Sequence, residues 1–355
     1  MYPFKEGSFA PRDAWYVAAF GHEVKRELLS RWILNEPVVL YRKKDGVAVA
    51  VGGRCPHRHF PLGKGCLKDD DVMCAYHGIT FGPDGKCVKI PSQKAVPSTY
   101  AIPAYPLIEH GLWLFIWMGD KSQADIRLLP DLEEIGVTEQ GMVAKPLFVE
   151  YVAGRYMLLN DNLMDLSHLG FLHGTSIGNA DYAAAPEVLV ERPGFLSSRR
   201  NMVGNDSPPF LEHMGFRPGK VDRLSGMDFY LPGFHAGIDE FRYSDTDSES
   251  PGRVIKKSRV YHAVTPATLT TCNYFFGMAS PEDGYVESMR EYLRPVIQED
   301  KFATEEIEKI LTVVGENPPE LLLRSDRNAV RGRRMIQAMI DAEVGNVSVA
   351  DAVCA

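Results

Sequence analysis

Four side chains in the first quarter of the chain could hold two irons between them. The string CPHRHFPLGKGCLKDDDVMCAYHG contains Cys55-x-His57, sixteen intervening residues, then Cys74-x-x-His77, so each half supplies one thiolate and one imidazole. Two cysteines on one iron and two histidines on the other form the ligand set of a 2Fe-2S cluster whose neutral imidazoles raise its potential above that of an all-cysteine cluster. Such a cluster accepts and passes single electrons. A Cys2His2 zinc site is the alternative, because zinc takes the same ligand types tetrahedrally. Against it, a one-residue Cys-x-His gap on a Pro-containing turn is unusual for zinc fingers, which place both histidines together on a helix. His59 reads as a surface loop residue, and Cys66 and Cys87 as ordinary buried or half-buried thiols.

A second constellation lies in NDNLMDLSHLGFLHG, where Asn162, Asp165 and His168 recur at three-residue intervals and so share one arc of a helix. His173 follows five residues after His168. On a continuous helix that spacing points it about 140° away, so the chain must turn near Gly170 for both imidazoles to reach one metal. A carboxylate far along the chain completes the set. Val286, Met289, Leu293, Val296, Ile307 and Leu311 fall on one side of a 3.6-residue period, and Asp300 lies at the centre of that stripe. A carboxylate on a buried helical face is costly unless a cation or metal pairs with it. Glu299, Glu305 and Glu306 fall away from the face, which singles out Asp300. Two histidines and one carboxylate make the facial triad of non-haem iron, with open positions for dioxygen and water. A salt bridge from Asp300 to Arg331 or Arg334 is the alternative. Asn162 is expected near the iron or its ligands, with a helix-surface amide as the other reading.

The elements that must position these residues follow from the pattern. From Trp32 to about Met118 short β-type runs alternate with turn signals, and Asp45-Gly46 and Asp84-Gly85 mark hairpin-type turns. LWLFIWM at 112–118 reads as a buried strand, far short of the roughly 20 residues needed to cross a bilayer. Residues 119–141 lose β-branched alternation and gain charge, and the domain boundary is placed there. Residues 1–118 are expected to form one domain with an N-terminal extension, 119–141 a connection, and 142–355 a second domain. In the latter, 156–173 reads as a helix running into a loop, 182–280 as strand-rich, and the end as helical, with Pro295 interrupting one backbone bond. His213 and His235 are further candidates for lining a pocket there.

Composition narrows the partners. The formal charge of −8 at pH 7 argues against nucleic acid, since no concentrated basic field is available for phosphate. The N-terminal residues lack a basic stretch leading into an apolar run, so a cytoplasmic location is expected, without membrane association. Four of the six cysteines fall within 33 residues, a clustering that favours metal over disulfide.

C-x-H-x16-C-x-x-H followed by Gly78 resembles the Rieske domain of oxygenases. Respiratory-chain Rieske proteins match less well, because they add a second cysteine in each loop and Cys66 and Cys87 are not so placed. The strings RDAWYVAA, CPHRHFPL, CAYHG, DNLMDLSH, NYFFGM and QEDK extend the resemblance over nearly the whole chain, to the oxygenase subunits of the vanillate O-demethylase and dicamba monooxygenase group of Rieske non-haem iron oxygenases. The resemblance implies an α+β chain, with a β-rich Rieske iron-sulfur domain and a helix-grip catalytic domain in which an antiparallel sheet embraces a C-terminal helix carrying the third iron ligand. It implies a homotrimer in which Asp165 bridges His168 to His77 of a neighbouring protomer; a carboxylate that only orients His168 is the other reading of Asp165. It also implies electrons from NAD(P)H delivered by a separate reductase or ferredoxin, and here the chain itself agrees, having no G-x-G-x-x-G or Walker motif. The implied reaction hydroxylates an aromatic compound with O2, in the demethylase case releasing formaldehyde from a methoxylated aromatic acid. Ring dihydroxylation, methyl hydroxylation of an aromatic sulfonate or carboxylate, and a plain electron carrier are the competing readings. Asn273 sits on a strand where a relative places a substrate-contacting histidine, and is the candidate substrate contact.

Overall fold

The alternation in EPVVLYR and AVAVG and the turn at Gly46, whose φ of 86° suits a residue without Cβ, build an antiparallel hairpin. This is the recurring device of the first half of the chain. The computed structural model describes residues 2–353 apart from 179, 217–218, 245–249, 282 and 316–317. The chain divides into two units, one of Arg12–Ile126 with Thr265–Leu269, the other of Met1–Pro11, Arg127–Val264 and Thr270–Ala355.

The first unit is β-rich. Its strands are β1 (Trp15–Phe20), β2 (Leu29–Ile33), β3 (Glu36–Arg42), β4 (Ala48–Gly52), β5 (Cys66–Lys68), β6 (Asp71–Met73), β7 (Thr80–Phe81), β8 (Cys87–Lys89), β9 (Ala104–Tyr105), β10 (Leu107–His110) and β11 (Trp113–Trp117). They form three antiparallel sheets in the orders β1-β11-β10, β2-β3-β4-β9 and β5-β6-β7-β8. Every residue of β11 is buried, as the apolar run requires. Val39, Tyr41, Val51, Leu62, Val72 and Phe81 form a core that continues into Cys55 and Cys74. The cluster loops therefore grow directly out of close-packed apolar side chains.

The second unit is a seven-stranded antiparallel sheet flanked by helices. Its strands are β12 (Val143–Val152), β13 (Glu187–Arg192), β14 (Phe195–Asp206), β15 (Lys220–Tyr230), β16 (Phe234–Tyr243), β17 (Val254–Thr268) and β18 (Thr271–Ser280), in the order β12-β18-β17-β16-β15-β14-β13. The helices are α1 (Tyr156–Met164), α2 (Pro209–His213), α3 (Asp283–Val314) and α4 (Arg327–Val353). Helix α3 lies against β12, β18 and α1. It continues through Pro295 for 32 residues. Val286, Met289, Leu293, Val296 and Leu311 are buried along it as expected, but Ile307 is 47% exposed and its neighbour Glu308 takes the buried position.

Glu308 is buried because Arg155, at the start of α1, grips both its oxygens at 2.7 Å. The Arg155 backbone N–H adds a third bond at 3.0 Å, and Nη1 donates to the Tyr2 carbonyl at 3.1 Å. An ion pair this deep is tolerated only when its remaining hydrogen-bonding capacity is met, and here it is. Tyr2, Leu158 and Leu311 close the same region with apolar contact, so residues near the start of the chain belong to the core of the second unit. Among the described residues, no helix is long and apolar enough to cross a membrane.

Candidate functional site

The four cluster candidates stand on two loops with one hydrogen-bond plan. In the first, Cys55 N–H donates to the Phe60 carbonyl and His59 N–H to the Cys55 carbonyl; in the second, Cys74 N–H donates to Ile79 and Gly78 N–H to Cys74, all at 2.8–2.9 Å. The fourth residue after each cysteine adopts a left-handed backbone, with φ of 58° at His59 and 69° at Gly78. Glycine suits that region freely, and histidine is among the residues that enter it most readily. This is why His59 is where it is: it closes a turn, and its ring meets Arg54 Nη1 at 3.1 Å on the surface rather than joining the cluster ligands.

Both cysteines are 1% exposed, whereas His57 and His77 are exposed with ring centroids 4.5 Å apart. Burial pushes the Cys55 thiol up, loop amides at His57 and Arg58 pull against it, and the adjacent Cys74 sulfur pushes it up further. Two neighbouring buried sulfurs can both be thiolates only beside a strong cation. Inner thiolates and outer imidazoles fit a 2Fe-2S group with its histidine edge at the surface.

The second set assembles over a longer span. Helix α1 ends at Met164, and Asp165 caps the following 3-10 turn, Leu166–Gly170, by accepting from Ser167 N–H at 2.9 Å. Asn162, Asp165 and His168 are therefore not on one helix. His168 lies on the 3-10 turn, and the chain turns after Gly170 to bring His173 back beside it, ring centroids 5.2 Å apart. Asp300, 4% exposed on α3, reaches His173 Nε2 at 3.0 Å and His168 Nε2 at 3.7 Å. Donor atoms of His168, His173 and Asp300 all lie within 4.8 Å of one another. Three converging donors of this kind fit a single metal ion, and two imidazoles with one carboxylate fit ferrous iron.

Neither Arg331 nor Arg334 is the partner of Asp300; Arg331 pairs with Glu191 at 2.6 Å. His168 Nδ1 meets the Asp165 main-chain carbonyl at 2.6 Å, so Asp165 orients His168 through its backbone and not its carboxylate. Glu299, expected to point away, places Oε2 2.6 Å from His173 Nδ1. Its long side chain covers the angle separating it from Asp300 on the helix. Asn162 has a buried Oδ1 and does not line the cavity described below.

Beside these donors lies a cavity of about 120 Å³, walled by Leu163, Leu169, Val260, Phe276, Met289 and Ile297 among others. Strand alternation sends Phe276 and Met278 of β18 into it and Asn273 to the opposite face, so Asn273, the expected substrate contact, does not line this cavity. His235 is also absent from the lining, being fully buried with Nε2 2.9 Å from Asn160 Oδ1, and His213 stacks on Tyr292. Besides His168 and His173, the histidine that lines it is His262, on β17 with Ser258 and Val260 at two-residue spacing. Its Nδ1 lies 2.6 Å from the Tyr274 hydroxyl, and burial lowers its pKa to about 4 against a smaller upward pull from Asp300. The lining also carries Arg223, which Asp239 holds at 2.7 and 2.9 Å, so this cation brings little net charge.

Comparison with known proteins places both halves. Residues 14–106 match the Rieske [2Fe-2S] domain, and residues 152–342 the vanillate O-demethylase oxygenase C-terminal domain. The iron-sulfur subunit of the toluene-4-sulfonate monooxygenase system of Comamonas testosteroni is 32% identical over 348 residues, covering 95% of this chain and 99% of that protein. The oxygenase component of dicamba O-demethylase from Stenotrophomonas maltophilia is 30% identical, over 94% of this chain and 98% of its own. The crystal structure of dicamba monooxygenase bound to dicamba superposes with a TM-score of 0.83 at 28% identity, over 95% of this chain and 100% of that one. With a Rieske domain, a catalytic domain of the vanillate O-demethylase type and relatives matched over nearly their whole length that include oxygenase subunits, the chain belongs to the Rieske non-haem iron oxygenases.

Proposed function

We infer that Cys55 and Cys74 hold one iron of the 2Fe-2S cluster and His57 and His77 the other, and that His168, His173 and Asp300 hold the mononuclear Fe(II). The observation that carries the reading is the convergence of those three donors beside an apolar cavity. When bound, the two groups supply single electrons and dioxygen activation respectively. The chain's own task is to seat an aromatic substrate with its reacting carbon toward the iron ligands and to keep water out. A cavity somewhat smaller than the ~150 Å³ one that takes up benzene admits no more than a single ring. In this reading Tyr274 donates to Nδ1 of a His262 that is neutral above its low pKa, which leaves Nε2–H as a donor to a polar ring substituent. Arg223, whose Nη1 has only a long 3.5 Å contact to the Ile177 carbonyl, offers an acid group a further donor.

The favoured reaction is O-demethylation of a methoxylated aromatic acid. One oxygen atom enters the methyl carbon, the hemiacetal collapses to a phenol and formaldehyde, and the second oxygen atom leaves as water with two electrons and two protons. Support comes from the dicamba and vanillate O-demethylase relatives, at 30% and 31% identity. Hydroxylation of an aryl methyl group is the second reading, supported by the 32% identity to the toluene-4-sulfonate system. Both attack a methyl group attached to an aromatic ring or its oxygen. In this reading the protein is a cytoplasmic homotrimer served by a reductase or ferredoxin that draws on NAD(P)H, with Asp165 linking His168 to His77 of the neighbouring protomer.

Iron analysis together with turnover tests it. Three irons per chain, oxygen uptake and formaldehyde release in step with a methoxyarene and a generic reductase are expected. Two irons per chain would reduce the protein to an electron carrier, and oxygen uptake yielding a benzylic alcohol or a dihydrodiol would replace demethylation by one of the alternatives.

A further inference from the structure

The two histidines beside Asp300 are held from behind by different groups. His168 Nδ1 meets a neutral main-chain carbonyl, that of Asp165, at 2.6 Å. His173 Nδ1 meets a carboxylate, Glu299 Oε2, also at 2.6 Å. His173 thus has a carboxylate on each ring nitrogen, with Asp300 at Nε2 and Glu299 at Nδ1, both delivered by consecutive residues of α3. Only Nε2 faces the point that His168 Nε2 and Asp300 share, so the Glu299 side is the one turned away from the metal position.

We propose that Glu299 is a positioning residue for the mononuclear site, one that fixes His173 as its Nδ1–H tautomer and makes its Nε2 the more basic of the two imidazole donors. This rests on the assignment of His168, His173 and Asp300 as iron ligands. Physically, a carboxylate accepting from the far nitrogen of a metal-bound imidazole locks the ring's rotation and pushes electron density toward the metal, more than a carbonyl does. His173 is 1% exposed and cannot turn to water for a replacement acceptor, whereas the Glu299 side chain is 35% exposed. Truncating Glu299 therefore removes an acceptor without opening a buried void.

Fe(II) affinity of the holoenzyme, measured by competition with a chromogenic chelator, is the direct readout. Glu299→Ala is expected to weaken binding by roughly 10–100-fold, while the cluster absorption and urea midpoint stay those of the wild type. Glu299→Gln, whose amide oxygen can still accept from Nδ1–H, is expected to recover part of that loss, and cobalt substituted at the site should show a shifted visible spectrum in the Ala variant. Wild-type Fe(II) affinity and an unshifted cobalt spectrum in Glu299→Ala would overturn the inference and leave the iron-site reading intact. A wild-type protein that binds no mononuclear iron, or an Asp300→Ala protein that binds it normally, would instead overturn the reading on which the inference rests.

Discussion

In the first unit four candidate ligands come from two short loops that repeat one hydrogen-bond plan, each closing on itself within five residues and rooted in the same apolar core. In the second unit three donors come from a 3-10 turn, the turn that follows it, and a helix residue 127 positions after His173. A self-closing loop carries its geometry with it. A site gathered across that span holds its geometry only while a helix keeps its place against the sheet. The cluster loops are accordingly robust to distant change, and the triad is exposed to it.

Asp300→Ala is expected to give the largest separation of the two regions. Mononuclear iron and turnover should vanish while the cluster absorption remains, and Cys74→Ala should lose the cluster absorption and turnover while keeping the mononuclear iron; metal analysis with visible spectra reads both, and retention of three irons by Asp300→Ala would remove it from the ligand set. Asp165→Asn comes next. Its main-chain carbonyl still holds His168 and its side-chain oxygen can still accept from Ser167, so both metal sites should stay loaded while turnover nearly stops. Normal activity would end the bridging role. His262 gives an effect on stability. Its folded pKa of about 4 lies below the ordinary value of 6.5, so the unfolded chain binds the extra proton first as pH falls. Stability is full above about 6.5 and is lost progressively down to about 4, by on the order of 3 kcal/mol. Replacing His262 by Asn should flatten that acid limb in urea titrations, and an unchanged limb would show that other groups produce it. The smallest effects test the paired loops. Gly78→Ala, at φ 69° with the new Cβ 3.0 Å from Pro91 Cγ, should lower the thermal midpoint through a loss of about 1–2 kcal/mol. His59→Gly should stay within about 0.5 kcal/mol of wild type, since relief of the left-handed backbone is offset by a looser unfolded chain.

The cluster loops were legible because their information is local: ligand spacing and the turn residues lie in one short string. Asp300 was legible because a carboxylate amid an apolar stripe needs a reason. What escaped depends on groups far away in the chain. Glu308 is buried in place of Ile307 because Arg155, 153 residues earlier, neutralises it, and no helical period can announce that. Glu299 was discounted by its angle on the helix, though its side chain is long enough to reach round to His173. Nothing in the sequence singled out His262, and Asn273 lies outside the cavity lining. A two-residue period tells which strand residues share a face, but which face is concave and lined by the cavity emerges only when seven strands assemble.

The Arg155–Glu308 pair also sets the alignment of two rods. Arg155 stands at the head of α1, the helix leading into the His168 turn, and Glu308 stands on α3 eight residues beyond Asp300, about 12 Å along its axis. A slip of α3 by a single residue would carry Asp300 about 1.5 Å, many times the ~0.2 Å latitude of a metal–ligand bond. Gripped through both oxygens and a backbone amide, Glu308 works as a dowel between the helices. The tolerance of an iron centre is thereby set by machining done two turns away, where no metal is touched.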